Sequence, residues 1–155
     1  MQNMTNLINY KFNLMKKNLI LAIAFFMAIS SQAQSIFGEW KTIDDKTGKE
    51  KSIVQIYEED GKAYAQIKEL LDPESKGKVC DNCKGDKKNK PIKGMVIIDG
   101  LKEDGDEWNG AKILDPKTGK VYKCYITLEN ENKLKVRGYI GFALIGRTQY
   151  WHRVE

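Results

Sequence analysis

Cys80 and Cys83 carry the sharpest chemical signal in a 155-residue chain that holds 3 Cys and 1 His. A Cys-x-x-Cys unit can be a redox pair, half of a zinc site or a local disulfide. A redox pair of the thioredoxin type sets its first Cys at a helix N-terminus, where the dipole lowers the thiol pKa. Lys78, Lys84, Lys87 and Lys88 could lower a thiol pKa here, but no helical pattern follows the motif. Zinc takes four ligands, as a rule with a second Cys or His pair. This chain offers only Cys124, on an apolar strand face, and His152. A disulfide between Cys80 and Cys83 is the leading expectation if the chain is exported, because oxidising compartments preserve such bonds. A bond closing so short a loop gains little from chain entropy, so its work would be to shape the loop.

Other catalytic constellations find little material. His152 lies in a late predicted strand, and the sequence after residue 33 has only Ser35, Ser52 and Ser75 as hydroxyl partners of that type. No G-x-S-x-G, H-E-x-x-H or phosphate-cradling glycine loop occurs. The turn Glu103-Asp104-Gly105-Asp106-Glu107 is acidic enough to attract Ca²⁺ but lacks EF-hand ligand spacing, which favours a solvated hairpin turn. Facing carboxylates suited to glycoside chemistry depend on strand register. The sequence therefore points away from an enzyme and calls for no cofactor and no metal.

The cysteines sit in a long segment, residues 71–92, that is rich in lysine. Between positions 76 and 93 lie seven Lys and two Asp, a local charge of +5. The whole chain carries +5 at a sequence pI of about 9.0, which by itself hints at a polyanion partner. Three of its positive charges, Lys11, Lys16 and Lys17, precede residue 34, where there is no acidic residue. Residues 34–155 then carry +2, and outside the lysine segment they sum to −3. The chain is a slightly acidic domain with one basic loop. Long loops in compact domains are usually functional or disordered. Lys84, Lys87 and Lys88 could meet phosphate, lipopolysaccharide or another anionic envelope component, against the alternative of a solvated face. Nucleic acid is disfavoured because no aromatics interleave the lysines for stacking.

The elements that must position these groups begin after an address signal. Lys16 and Lys17 precede an apolar run, Leu19 to Ile29, and Ser31-Gln32-Ala33 follows. A charged n-region, a short apolar region and a small-residue exit make a secretory signal peptide. A membrane-spanning helix needs about 20 apolar residues, so a transmembrane segment is not expected. Met15 reads as the true start, and no Cys follows the run to take a lipid anchor. Cleavage after Ala33 would leave a domain of residues 34–155, located in the periplasm or secreted.

That domain reads as short strands and tight turns. Turn signals recur every 8 to 12 residues, the mark of an all-β sandwich or barrel. Strands are predicted near 37–43, 52–58, 62–70, 93–101, 107–114, 119–128, 133–140 and 145–154. Asp60-Gly61 is a strong two-residue hairpin signal. Tyr122, Cys124, Ile126 and Leu128 share one face, as do Leu134, Val136 and Gly138, with lysines and Arg137 opposite. One buried and one wet face suits an antiparallel meander, and about eight such strands can close into a small barrel without edges. Leu71-Asp72-Pro73 before Gly77-Lys78-Val79 echoes Leu114-Asp115-Pro116 before Gly119-Lys120-Val121. Pro fixes φ at the start of a turn, so turn chemistry explains the echo better than duplication does.

Several motifs occur in a fixed order: Gly38-Glu39-Trp40-Lys41-Thr42, Cys80-Asp81-Asn82-Cys83-Lys84-Gly85, Ile113-Leu114-Asp115-Pro116, Lys135-Val136-Arg137-Gly138-Tyr139 and Gly146-Arg147-Thr148-Gln149-Tyr150-Trp151. Together they resemble the bacterial family called domain of unknown function 2147. The resemblance implies an exported protein with a lipocalin-like antiparallel barrel, and it transfers no catalytic residue. In such barrels a Gly-x-Trp near the first strand packs its indole across one end, often under an Arg from a late strand. Gly38, Trp40 and Arg147 or Arg153 resemble that device, with Arg137 in a neighbouring motif. The leading functional expectation is a non-catalytic binding module for a small, partly apolar ligand in the barrel interior or mouth. Its lining would come from the aromatic pool, chiefly Trp40, Tyr64, Trp108 and Trp151. The alternatives are an envelope interaction or stress-related protein acting through the basic loop, and then an enzyme of unknown type.

Overall fold

The computed structural model describes residues 35–154 other than Lys46 and Ala143. The proposed signal segment, residues 1–33, lies outside the described residues. Eight strands follow in chain order: β1 (Gly38–Ile43), β2 (Glu50–Glu59), β3 (Lys62–Leu70), β4 (Val96–Asp104), β5 (Glu107–Asp115), β6 (Lys120–Asn130), β7 (Lys133–Tyr139) and β8 (Gly146–Arg153). Each pairs antiparallel with its chain neighbour, and β8 returns to β1 to close the barrel. The closing seam sets Trp40 opposite Arg153 and Thr42 opposite Trp151. Closure gives every strand a neighbour on both sides, although the β1–β8 seam is short, Trp40–Thr42 against Trp151–Arg153. Among the described residues no helix is long and apolar enough to cross a membrane.

Alternation makes this architecture. Trp40 and Thr42 on β1, Ser52, Val54 and Ile56 on β2, and Ala63, Ala65 and Ile67 on β3 are all buried. Cys124 and Ile126 on β6, and Leu134 and Val136 on β7, continue the inner wall. Their neighbours at odd offsets are half-buried or exposed. Asp60 and Gly61 have φ of 49° and 70°, the positive pair that a tight hairpin matching strand twist requires.

The meander sorts its connections into two ends. The two-residue turns after β2, β4 and β6 share one end with the incoming segment 35–37. The longer connections 44–49, 71–95, 116–119 and 140–145 share the other. The first end is sealed. Trp40 is fully buried and donates its indole Nε1–H to Ile36 O at 2.8 Å. Arg153 lies 4.2 Å over the ring and donates to Phe37 O, Ser35 O and Glu131 O. One side chain thus stacks on the indole and ties the incoming chain to the last hairpin.

The fourth strand departs from expectation, running Val96–Asp104 rather than 93–101. Gly94 has φ of 86°, and Met95 N–H donates to Ile92 O, so residues 92–95 form a turn that brings the long loop back. At the other margin Glu103 pairs with Trp108 and Asp104 with Glu107. Hairpin pairing extends the ladder through charged residues that hydropathy alone would assign to a turn.

Candidate functional site

The end opposite the Trp40 seal holds a cavity of about 1050 Å³. Strand parity builds it. Thr42 stands two residues from Trp40, Ser52 two from Val54, and Gln149 two from Trp151, so these polar groups share the inward face near the mouth. Val54, Ile67, Ile113 and Val136 form apolar wall, Tyr122 and Gly138 also line it, and charged side chains such as Glu50, Lys51 and Asp72 ring the opening. Thr42 Oγ1 and Ser52 Oγ are 2.8 Å apart, and both residues are buried. Thr42 Oγ1 also lies 3.4 Å from Ser52 O, so the two hydroxyls largely satisfy each other. The Trp151 indole is 1% exposed, and its buried Nε1–H meets no acceptor. Leaving such a donor unpaired costs about 1–3 kcal/mol. The arrangement offers apolar volume with a few convergent polar groups, the usual make-up of a small-molecule site.

The rim comes from the long connections. Asp72 caps the first short turn, with its carboxylate accepting from Ser75 Oγ and Glu74 N–H. These bonds hold its pKa below the usual value, with the Ser75 hydroxyl the larger cause. Asp115 repeats the device in the β5–β6 turn, accepting from Thr118 Oγ1 and Lys117 N–H. Arg147 forms an ion pair with Asp45 across the rim.

Cys80 and Cys83 form a disulfide, and both are buried. The bond shapes a loop docked firmly on the barrel. Val79 bridges Pro91, Cys80 N–H donates to Lys90 O, and Asn89 N–H donates to Cys80 O. Cys80 Sγ lies 3.2 Å from Pro116 O, and Asn82 Nδ2 donates to Lys117 O. The loop therefore packs against the β5–β6 turn. A smaller cleft of about 480 Å³ lies between the loop and β4–β5, bounded by Lys84, Lys87, Asp99 and Lys112 over apolar Ile97, Leu114 and Val121. Lys84 and Lys88 are exposed, whereas Lys87 is half-buried and donates to Val96 O at 2.8 Å.

The structure separates the aromatic candidates. Trp151 borders the mouth cavity. Trp40 belongs to the sealed end, as does Trp108, whose ring packs edge-on against Phe37 at 5.3 Å. Tyr64 stacks on Tyr57 with ring centroids 5.6 Å apart, on the outer face of the β2–β3 hairpin. Arg153, not Arg147, covers the Trp40 indole; register decides this, because Arg153 is Trp40's partner across the seam. Arg137 donates to Thr148 Oγ1 on the barrel's outside. Thr42, Ser52 and Gln149 are not singled out as lining residues by the sequence, and Tyr122 is placed there only on the Cys124 face. Their parity with Trp40, Val54, Trp151 and Cys124 was the signal that would have found them.

In the acidic turn, Asn109 Nδ2 donates to both Asp104 Oδ2 and Glu107 Oε1, which orders those carboxylates. Cys124 is the remaining thiol, buried in the wall, and burial pushes it up to about 12.

The family model described as an uncharacterised protein conserved in bacteria, domain of unknown function 2147, matches residues 38–153. No curated protein matches the chain. Among solved structures it is similar to HP1028 from the human pathogen Helicobacter pylori, described as belonging to the lipocalin family. That likeness has a TM-score of 0.69 at 23% identity and covers 78% of this chain and 84% of the other. At that identity it is a likeness of fold.

Proposed function

This chain belongs to the family of uncharacterised bacterial proteins matched over residues 38–153, and from that premise we propose that it is a non-catalytic carrier of a small, partly apolar ligand. The observation that carries the proposal is the mouth cavity of about 1050 Å³, apolar in its walls and polar at Thr42, Ser52 and Gln149. Ligand sites typically span about 300–1,000 Å³, so this volume suits one small molecule with room for solvent. The unpaired Trp151 N–H favours a ligand that presents an acceptor oxygen near the barrel wall. We further infer an exported location, periplasmic or secreted, which the Cys80–Cys83 disulfide supports. Native mass spectrometry of the freshly purified protein tests the carrier reading. A stoichiometric small-molecule adduct released on denaturation is expected. Failure to retain or take up any apolar compound would refute it.

A further inference from the structure

The connection from β7 to β8 carries the four most exposed large apolar side chains among the described residues. Its residues Ile140, Phe142, Leu144 and Ile145 are 62%, 80%, 92% and 70% exposed. Solvent-facing apolar residues are ordinary when scattered, but adjacent ones concentrated on one loop mark a contact surface. The backbone holds them out deliberately. Ile140 N–H donates to Ile145 O, Ile145 N–H donates to Phe142 O, and Arg137 Nη2 donates to Leu144 O. The loop's polar groups are thereby partly paired while its side chains project.

Two observations identify the surface that fits. First, the tip is short, and its few side chains supply only a fraction of the about 800 Å² per partner that a stable protein interface buries. An apolar protrusion of that size suits the soft boundary of a lipid layer. Second, the 71–95 connection at this end holds seven Lys against Asp72, Glu74, Asp81 and Asp86, a net +3, and its Lys78 borders the same mouth cavity as Ile140 and Ile145. The apolar tip and the basic loop therefore flank one opening, and the pair complements acyl chains and anionic headgroups together. We propose that the mouth end docks on an anionic lipid bilayer, with Phe142 and Leu144 entering the interface and the lysines of the 76–93 loop facing the headgroups.

The proposal goes beyond the carrier reading and stands whether or not the cavity takes a ligand. It is tested by co-sedimentation of the whole exported domain with vesicles of phosphatidylcholine alone and of phosphatidylcholine with roughly one third phosphatidylglycerol. Binding is expected to the anionic vesicles, several-fold weaker to the neutral ones, and reduced several-fold by added salt. Phe142→Ser with Leu144→Ser should lower binding at least ten-fold. Both side chains are exposed, so the circular dichroism and melting of that variant should be unchanged. Lys84→Gln, Lys88→Gln and Lys90→Gln together should remove the preference for anionic vesicles and leave the weaker neutral binding. Equal binding of the apolar-tip variant, or no binding to either vesicle, overturns the proposal. A concentration-dependent dimer that the tip variant abolishes, without vesicle binding, would assign the surface to a second copy of the chain instead.

Discussion

Arg153 shows how much one side chain can organise in a small barrel. It covers the Trp40 ring and donates to three backbone carbonyls, two in the incoming segment and one in the β6–β7 turn. Hydrogen bonds to a charged group contribute about 1.5–3 kcal/mol each at best, and cation–π stacking adds of order 1 kcal/mol. Because these contacts share one group, their sum overstates the loss. Arg153→Ala is expected to cost about 3 kcal/mol in urea unfolding, and Arg147→Ala, which loses an exposed ion pair, less than about 1 kcal/mol. The sequence offered both arginines, and only the seam register separates them. The cysteines give a second prediction. Thiol titration should find none in the native protein, one per chain in denaturant and three after reduction, given one disulfide and buried Cys124. Three thiols in denaturant alone would contradict the disulfide. Cys124 also sets a pH dependence. Its ordinary value is 9.0 and burial raises it to about 12, so above pH 9 the unfolded chain releases this proton first. The stabilisation from a neutral buried thiol is fully present below that pH and is lost as pH rises toward 12. Cys124→Val should flatten that part of the stability profile.

At the scale of elements, the strands, the long loop and its disulfide were legible, and the way the loop docks was not. Alternation in β6 and β7 and the Asp60-Gly61 turn are local signals, and they place those strands within two residues at most ends. The β4 boundary was misplaced because a turn at 92–95, with Gly94 at positive φ, interrupts the strand, even though Gly94 N–H still donates to Ile67 O and Ile67 N–H to Met95 O. The loop itself depends on contacts far apart in sequence, such as Asn82 to Lys117. Gly119 is the clearest of them. A Cβ there would lie 1.9 Å from Asn82 O and 2.9 Å from Cys83 N, and its φ is +68°. Backbone cannot yield as a flexible side chain would. Gly119→Ala should therefore dislodge the loop and cost about 2 kcal/mol or more, read as lost amide protection at Cys80, Asn89 and Ile92. Cys80→Ala with Cys83→Ala should loosen the same amides while changing global stability by only about 1 kcal/mol, because so short a closure constrains the unfolded chain little. Equal loss of protection throughout the barrel would show that the loop is integral to its stability.

For the whole molecule, closure gives the barrel two unlike ends, one stoppered by Trp40 and Arg153 and one open beneath long connections. Residue types alone could name an aromatic pool but not assign most of its members to an end, which is why Tyr64 and Trp108 looked as suitable as Trp151, whereas the Gly-x-Trp motif already marked Trp40 as an end plug. The polar lining was hidden for the same reason: Thr42 and Ser52 are unremarkable until closure turns both inward. The charge bookkeeping survives at this scale, since the basic loop lies on the rim of the open end. Gly138 provides the direct probe of that opening. It lines the cavity, and a Cβ there would meet Ile113 and Tyr122 at 3.4 and 3.5 Å, so Gly138→Leu should fill the mouth without rupturing the wall. The decisive measurement is fluorescence titration of an environment-sensitive apolar probe, anilinonaphthalene sulfonate, into folded wild-type protein and Gly138→Leu. A carrier site predicts saturable binding of one probe per chain and at least ten-fold weaker binding in the variant with its fold intact. Non-saturable binding, or identical binding by both proteins, would contradict it.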